Sequence, residues 1–220
     1  MSVSPNVLLK RAWYALEQCG HLLQDSVKLY SAGRYANSVA LALLAREELG
    51  RCKILFHLWQ QAMSGKTFLV KDVRAAYDNH VAKQRSGQLS MTYRVEGPGE
   101  LAELFRARLK TRPGTAEYKK IAKQVKQLDD TTRKRTPVNR HAMRMSATYV
   151  DINDNGTDWN RPAAVSKRAA ENCLMDAVND YALQLDKIDH ERDDALDTAL
   201  AAWPDKPALP PPTWPKHDVS

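Results

Sequence analysis

Apolar residues set the first two elements of the chain. Val7, Leu8, Ala12, Ala15, Leu16, Cys19, Leu22, Leu23, Val27 and Leu29 recur at near-helical spacing. Ser4-Pro5 begins the run as a hydroxyl N-cap followed by proline at the first helical position. This predicts a helix to about Tyr30. The link Ser31-Ala32-Gly33 is short, so a second helix over about Arg34 to Met63 must fold back antiparallel on the first. From Val39 to Ala45 the second helix is apolar on every side, the pattern of a central helix covered by neighbours. Glu47 and Glu48 interrupt that run, and Glu48 shares a helical row with Leu41, Leu44, Cys52 and Leu55. A buried carboxylate needs a cation or hydrogen-bond donors, because an unpaired buried charge is too costly.

Further on, a shorter helix is expected over about Val70 to Lys83. A loop-rich region follows, bracketed by Ser86-Gly87 and Gly97-Pro98-Gly99, and then a short helix over Glu100 to Lys110. Arg112-Pro113-Gly114 breaks the chain, and Thr115 caps a helix to about Arg133 with Tyr118, Ile121, Ala122, Val125 and Leu128 as its stripe. Tyr149 to Ile152 alternates, Asn155-Gly156 makes a turn, and Trp159 to Pro162 returns, which reads as a small hairpin or extended loop. Ser166 caps a last helix to about Trp203. Residues 204–220 hold six prolines and no apolar period, the pattern of a disordered or extended tail. The expectation is an all-α bundle over residues 1–203, with a hairpin insertion and a Pro-rich tail over 204–220.

Charge and cysteine usage narrow the classes. Against 26 acidic residues stand 33 Lys and Arg, a formal net charge of +7, which permits an anionic partner such as RNA without requiring one. The most basic segment, Thr131 to Arg144, contains Arg133, Lys134, Arg135, Arg140, His141 and Arg144, with Pro137 inside it. Cys19, Cys52 and Cys173 are far apart and odd in number, each among apolar helical neighbours, so they read as small core residues in a reducing compartment. No signal peptide begins the chain, and no apolar run approaches the roughly 20 residues that span a bilayer. A cytoplasmic location is the simplest expectation. No Glu-x-x-His pair, Gly-rich phosphate loop or Gly-x-Ser-x-Gly elbow occurs, which sets aside di-iron, P-loop and serine-hydrolase chemistry.

Three segments carry a resemblance. Gly33-Arg34-Tyr35-Ala36 leads through the Ala/Leu run to Glu47-Glu48-Leu49-Gly50-Arg51. Asn79-His80-Val81-Ala82-Lys83 holds a His-x-x-Lys. Ala147-Thr148-Tyr149-Val150-Asp151 is followed by Gly156, Pro162 and a long Ala-rich helix. Together, from about Ala32 to Pro162, they resemble the AbiV family of abortive-infection proteins within the HEPN superfamily. The resemblance implies a helical HEPN bundle that often dimerises. It also implies a phage-defence role in which RNA is cleaved or translation blocked. RNA or the ribosome is the implied target, and a phage-encoded activator or other protein an implied partner. No cofactor is implied. A HEPN protein that only binds RNA, the ribosome or a partner, or that silences a toxin, is the alternative.

Many HEPN proteins cut RNA without a metal, using arginine followed by four to six residues and histidine. Imidazole moves protons near neutral pH, and arginine braces a phosphate with paired hydrogen bonds. The spacing occurs twice here, as Arg74/His80 and Arg135/His141. Arg74/His80 is preferred because it directly precedes Lys83 in the family-like segment. Arg135/His141 is the alternative, and its basic surroundings suit RNA. Glu47 and Glu48 either pair with core arginines to fix packing, or one of them orients His80, Lys83 or Arg144. The candidate catalytic set is therefore Arg74, His80, Lys83 and Glu48, with Arg133, Lys134, Arg135, Arg140 and Arg144 as the RNA-binding set.

Overall fold

A computed structural model describes residues 1–87, 103–104, 107–108, 110–152, 159–190 and 193–215, with the backbone alone at 128–138, 151–152, 159–160 and 163. The chain divides into two compact units, one of Met1–Ser90 with Arg140–Ser220, the other of Met91–Asn139. Every residue of the site described below lies in the first unit.

Helices α1 (Pro5–Ser31) and α2 (Tyr35–Met63) form the expected hairpin. Ser4 caps α1, its hydroxyl accepting from the Val7 amide at 3.4 Å. Gly33 turns the chain with φ of 73°, a conformation that costs glycine little and other residues more. Two-residue strands β1 (Ser2–Val3) and β2 (Phe68–Leu69) pair antiparallel, Ser2 opposite Leu69, tying the chain start to the segment after α2. Helix α2 is the axis of the unit, packed by α1, by α4 (His80–Ser86) and by α6 (Lys167–His190). Val39, Ala42, Leu43, Ala45, Leu49, Cys52 and Leu55 are buried on it, each large aliphatic side chain contributing roughly 1.5–3 kcal/mol.

The structure departs from the sequence expectation at four places. The single helix over Val70 to Lys83 is two, α3 (Val70–Asp78) and α4, because Asn79 is extended at ψ of 116° and its side chain caps the Ala82 amide at 3.0 Å. The helix expected to end near Arg133 continues as α5 (Ala116–Thr148) through Pro137, whose ring removes one backbone donor without ending the helix here. Its last segment, Arg140–Thr148, belongs to the first unit. The final helix stops at His190, and Asp193 starts a separate α7 (Asp194–Ala201) by accepting from the Leu196 amide at 2.8 Å.

The tail is the fourth correction. Its described part, through Pro215, lies along α1 and α6 rather than hanging free. The Trp13 indole N–H donates to the Pro207 carbonyl at 2.8 Å, and the Tyr181 hydroxyl to the Pro210 carbonyl at 2.6 Å. Trp214 donates to Asn179 at 3.3 Å. Gly20 leaves room for this, since a Cβ there would sit 2.9 Å from Pro210. Proline carbonyls keep full acceptor capacity, so a segment without an apolar period still docks by its backbone.

The hairpin is present as β3 (Asp151–Ile152) antiparallel to β4 (Trp159–Asn160). The Asn155-Gly156 turn and the Gly97-Pro98-Gly99 loop lie outside the described residues, as does most of the Glu100 to Lys110 helix.

Candidate functional site

Two glycines let α4 come down onto α2. A side chain at Gly50 would overlap the Lys83 backbone carbonyl, and one at Gly87 the Arg46 carbonyl. Both neighbours are backbone and cannot step aside. This close approach sets the first turn of α4 over Glu47.

Glu47 is 2% exposed. The His80 Nδ1–H donates to its Oε2 at 2.6 Å. A carboxylate only accepts, so Nδ1 carries the hydrogen and Nε2 is the nitrogen free for proton transfer. The His80 side chain is 48% exposed, so the free nitrogen has access to solvent. Lys83, buried, places Nζ 3.7 Å from the same Oε2. Gln84 donates to the Leu43 carbonyl at 2.9 Å and to Glu47 Oε1 at 3.4 Å. From α5, Arg144 brings Nε to 3.1 Å from Oε1. That N–H is not aimed at the oxygen, so the contact is one of charge rather than a formed hydrogen bond. His141, one helical turn before Arg144, stacks on His80 with ring centroids 5.5 Å apart and planes 24° apart. Its Nδ1 is buried with no hydrogen-bond partner among the described residues.

The cluster is unbalanced. One carboxylate faces Lys83 and Arg144, which leaves a surplus positive charge before either imidazole is protonated. Such a site attracts an anion, and the half-exposed His80 edge is where it would enter. Glu47, His80 and His141 also place three ligand atoms within 4.8 Å of one another, a spacing that suits a transition metal. A divalent ion there would have to compete with Lys83 and Arg144 for the one carboxylate. The charge pattern fits a phosphate better.

The remaining candidates fall elsewhere. Arg74 is exposed on α3, beyond the Asn79 break, and is not in this cluster. Glu48 pairs with Arg51 at 2.6 Å, beside a cavity of about 330 Å³ lined in part by Arg11, Tyr14 and Tyr77, and the charges of Lys83 and Glu47 also reach it. Burial raises its carboxyl above the ordinary range, while Arg51 pulls the other way. Arg140 lies 3.9 Å from Asp176 of α6. Burial, reinforced by Arg46, lowers its guanidinium to about 10. The side chains of Arg133, Lys134 and Arg135 lie outside the described residues, so of the five RNA-binding candidates only Arg140 and Arg144 are placed.

Sequence reasoning treated His80 and His141 as rivals, and the structure brings them into contact. It preferred Glu48 to Glu47, and the structure puts Glu47 at the histidine. The signal was available in Gly50 and Gly87, small residues beside Glu47 and after the His-x-x-Lys. The cysteines add no nucleophile. Cys19 and Cys52 are buried, and burial raises both thiols well above their usual range. Burial pushes Cys173 up to about 11.

The helical bundle agrees with the helical fold of the HEPN class. The family model described as AbiV, of the HEPN class, matches residues 9–182, most of the chain, and the protein belongs to that family. With the family comes an abortive-infection role of the HEPN type. No curated protein and no solved structure matches. Among the described residues no helix is long and apolar enough to cross a membrane.

Proposed function

We propose that this AbiV protein is a phage-defence effector that cleaves RNA without a metal, at the cluster of Glu47, His80, Lys83, His141 and Arg144. The observation that carries the reading is the His80–His141 stack, with His80 held by a buried carboxylate and cations on both sides. His80 Nε2 takes the proton from a ribose 2′-hydroxyl, whose oxygen attacks the adjacent phosphorus. The bond from phosphorus to the 5′-oxygen breaks, and protonated His141 supplies that oxygen with its proton. The products are a 2′,3′-cyclic phosphate and a 5′-hydroxyl. Glu47 keeps His80 in the working tautomer and stabilises its charged form. Arg144 and Lys83 face the charge that grows on the phosphoryl oxygens, and Arg144 takes the bracing role that spacing alone assigned to Arg74. A homodimer is the assembly proposed from the family.

The test is RNA cleavage by the full chain in EDTA, with analysis of the product ends. Cleavage should persist and leave cyclic phosphate ends. His80→Ala should slow it by about 10²–10⁴-fold while RNA affinity changes little. Growth arrest on expression in a bacterial host should disappear with the same substitution. Full toxicity in both His80→Ala and His141→Ala, with no RNA fragments, would overturn the enzyme reading and leave a protein that acts by binding RNA, the ribosome or a partner.

A further inference from the structure

A second recess lies further along α2, more than a helical turn past Glu47 and on the side that faces α6 and α7. It encloses about 260 Å³ and is lined by Lys53, Phe56, Trp59, Gln184, Lys187 and Ile188, among others. Two polar groups of the lining are left over from folding. Lys53 is half-buried, with no salt-bridge partner among the described residues. Burial lowers its ammonium below the usual lysine range, and the charge of Lys187 lowers it further. Asp180 pulls in the opposite direction, but its carboxylate is paired with Arg46. Gln184 is 6% exposed, and its Oε1 meets no donor among the described residues. A buried acceptor of this kind calls for a donor. Trp59 and Ile188 are buried behind these groups, and Phe56 meets Trp59 edge to face at 6.0 Å.

Two other polar groups of the rim are engaged. Asp193 is committed to capping α7 at the Leu196 amide. His57 is hydrogen-bonded to Gln61 at 2.7 Å.

We propose that this recess binds a small organic anion that carries a hydroxyl and a planar or apolar body. Its phosphate or carboxylate would pair with Lys53 and offset the charge that Lys187 exerts on it. Its hydroxyl would donate to Gln184 Oε1. Its body would lie against Phe56, Trp59 and Ile188. The volume stands at the small end of ligand pockets, which excludes a polymer and suits a single nucleotide or an aromatic acid. The site is separate from the Glu47 cluster, and the proposal stands whether or not that cluster cleaves RNA.

Trp59 supplies the readout. The full chain is titrated with adenosine 5′-monophosphate, with 4-hydroxyphenylacetate and with inorganic phosphate, followed by tryptophan fluorescence and by thermal melting. At least one organic probe should saturate with Kd below about 1 mM and raise the Tm, and inorganic phosphate should bind more weakly for want of the apolar contact. The stronger organic probe tells a phosphorylated source from a carboxylate one. Lys53→Met should weaken binding by about tenfold or more, and Gln184→Leu by a few fold, with unchanged circular dichroism showing that both fold. His80→Ala and Lys83→Met should bind as the parent does. No saturation by any probe at 10-fold higher concentration (about 10 mM) would overturn the proposal. So would a loss of binding in Lys83→Met while Lys53→Met binds normally, since the anion would then be at the Glu47 cluster.

Discussion

Two ionic groups buried in the first unit, side by side on α2, are built on opposite plans. Arg46 and Asp180 are 1% and 0% exposed and pair with each other across α2 and α6, with Arg140 near enough to feel both charges. Glu47, the next residue, gathers His80, Lys83 and Arg144 around a single carboxylate, and one of these partners reaches solvent. A pair sealed from water holds two helices in register. An open group with excess positive charge keeps capacity for an anion. Adjacent residues on one helix thus serve packing and chemistry, because successive side chains diverge by about 100° around the axis.

The largest effect should come from opening the closed pair. Asp180→Ala leaves Arg46 charged and sealed, and should cost about 3–5 kcal/mol in denaturant unfolding. Replacing both, Arg46→Met with Asp180→Leu, should recover most of that loss. A double variant as unstable as the single one would show that the pair does more than balance charge.

Breaking the open group should cost less stability and more function. Glu47→Ala should destabilise by about 2–3 kcal/mol, since the half-exposed His80 can turn its N–H to water while Lys83 and Arg144 remain covered. Equal losses for Glu47→Ala and Asp180→Ala would erase the distinction between the two groups. Gly50→Ala tests the approach of α4 directly. Its methyl group meets the Lys83 carbonyl, so α4 must move, at a cost of about 1–3 kcal/mol and with loss of the His80–Glu47 bond. An unchanged melting curve with unchanged His80 resonances would contradict the packing described.

Truncation after Trp203 should cost about 2 kcal/mol, because it removes acceptors from the Trp13 and Tyr181 donors and uncovers their rings. From sequence alone no loss is expected, so thermal melting separates the two views.

The smallest effect belongs to Glu48, whose pair with Arg51 is partly open to water. Glu48→Ala should cost about 1 kcal/mol or less. Its carboxyl is raised in the folded state, so its contribution favours folding below the unfolded value and is lost as pH rises through the folded one. Glu48→Gln should therefore flatten the fall in stability between acid and neutral pH. A steeper fall in the variant would show the shift to be reversed.

The helical hairpin was legible because its apolar residues follow one period over eight turns, and Ser4-Pro5 and Gly33 mark its ends. The site was legible only in parts. His80, Lys83 and Arg144 stood out by residue type and by resemblance. Which acid they meet depended on the angle at which α4 crosses α2, and that angle is set by tertiary contact at Gly50 and Gly87, not by local pattern. The pairing of His80 with His141 joins residues far apart in the chain, and no periodicity reports such a contact. The tail escaped notice because its anchors are backbone carbonyls of Pro207 and Pro210, which composition does not reveal. Asn79 and Asp193, both good caps, were the available warnings that two long helices would break.

The central claim is that His80 and His141 work as one site. The most direct measurement is a cleavage cycle comparing His80→Ala, His141→Ala and the double variant on one RNA substrate in EDTA. Each single variant should be slowed by about 10²–10⁴-fold, and the double variant should be little slower than the worse of the two, as for groups that act as a unit. Full activity in either single variant, or losses that multiply in the double, would contradict a shared site.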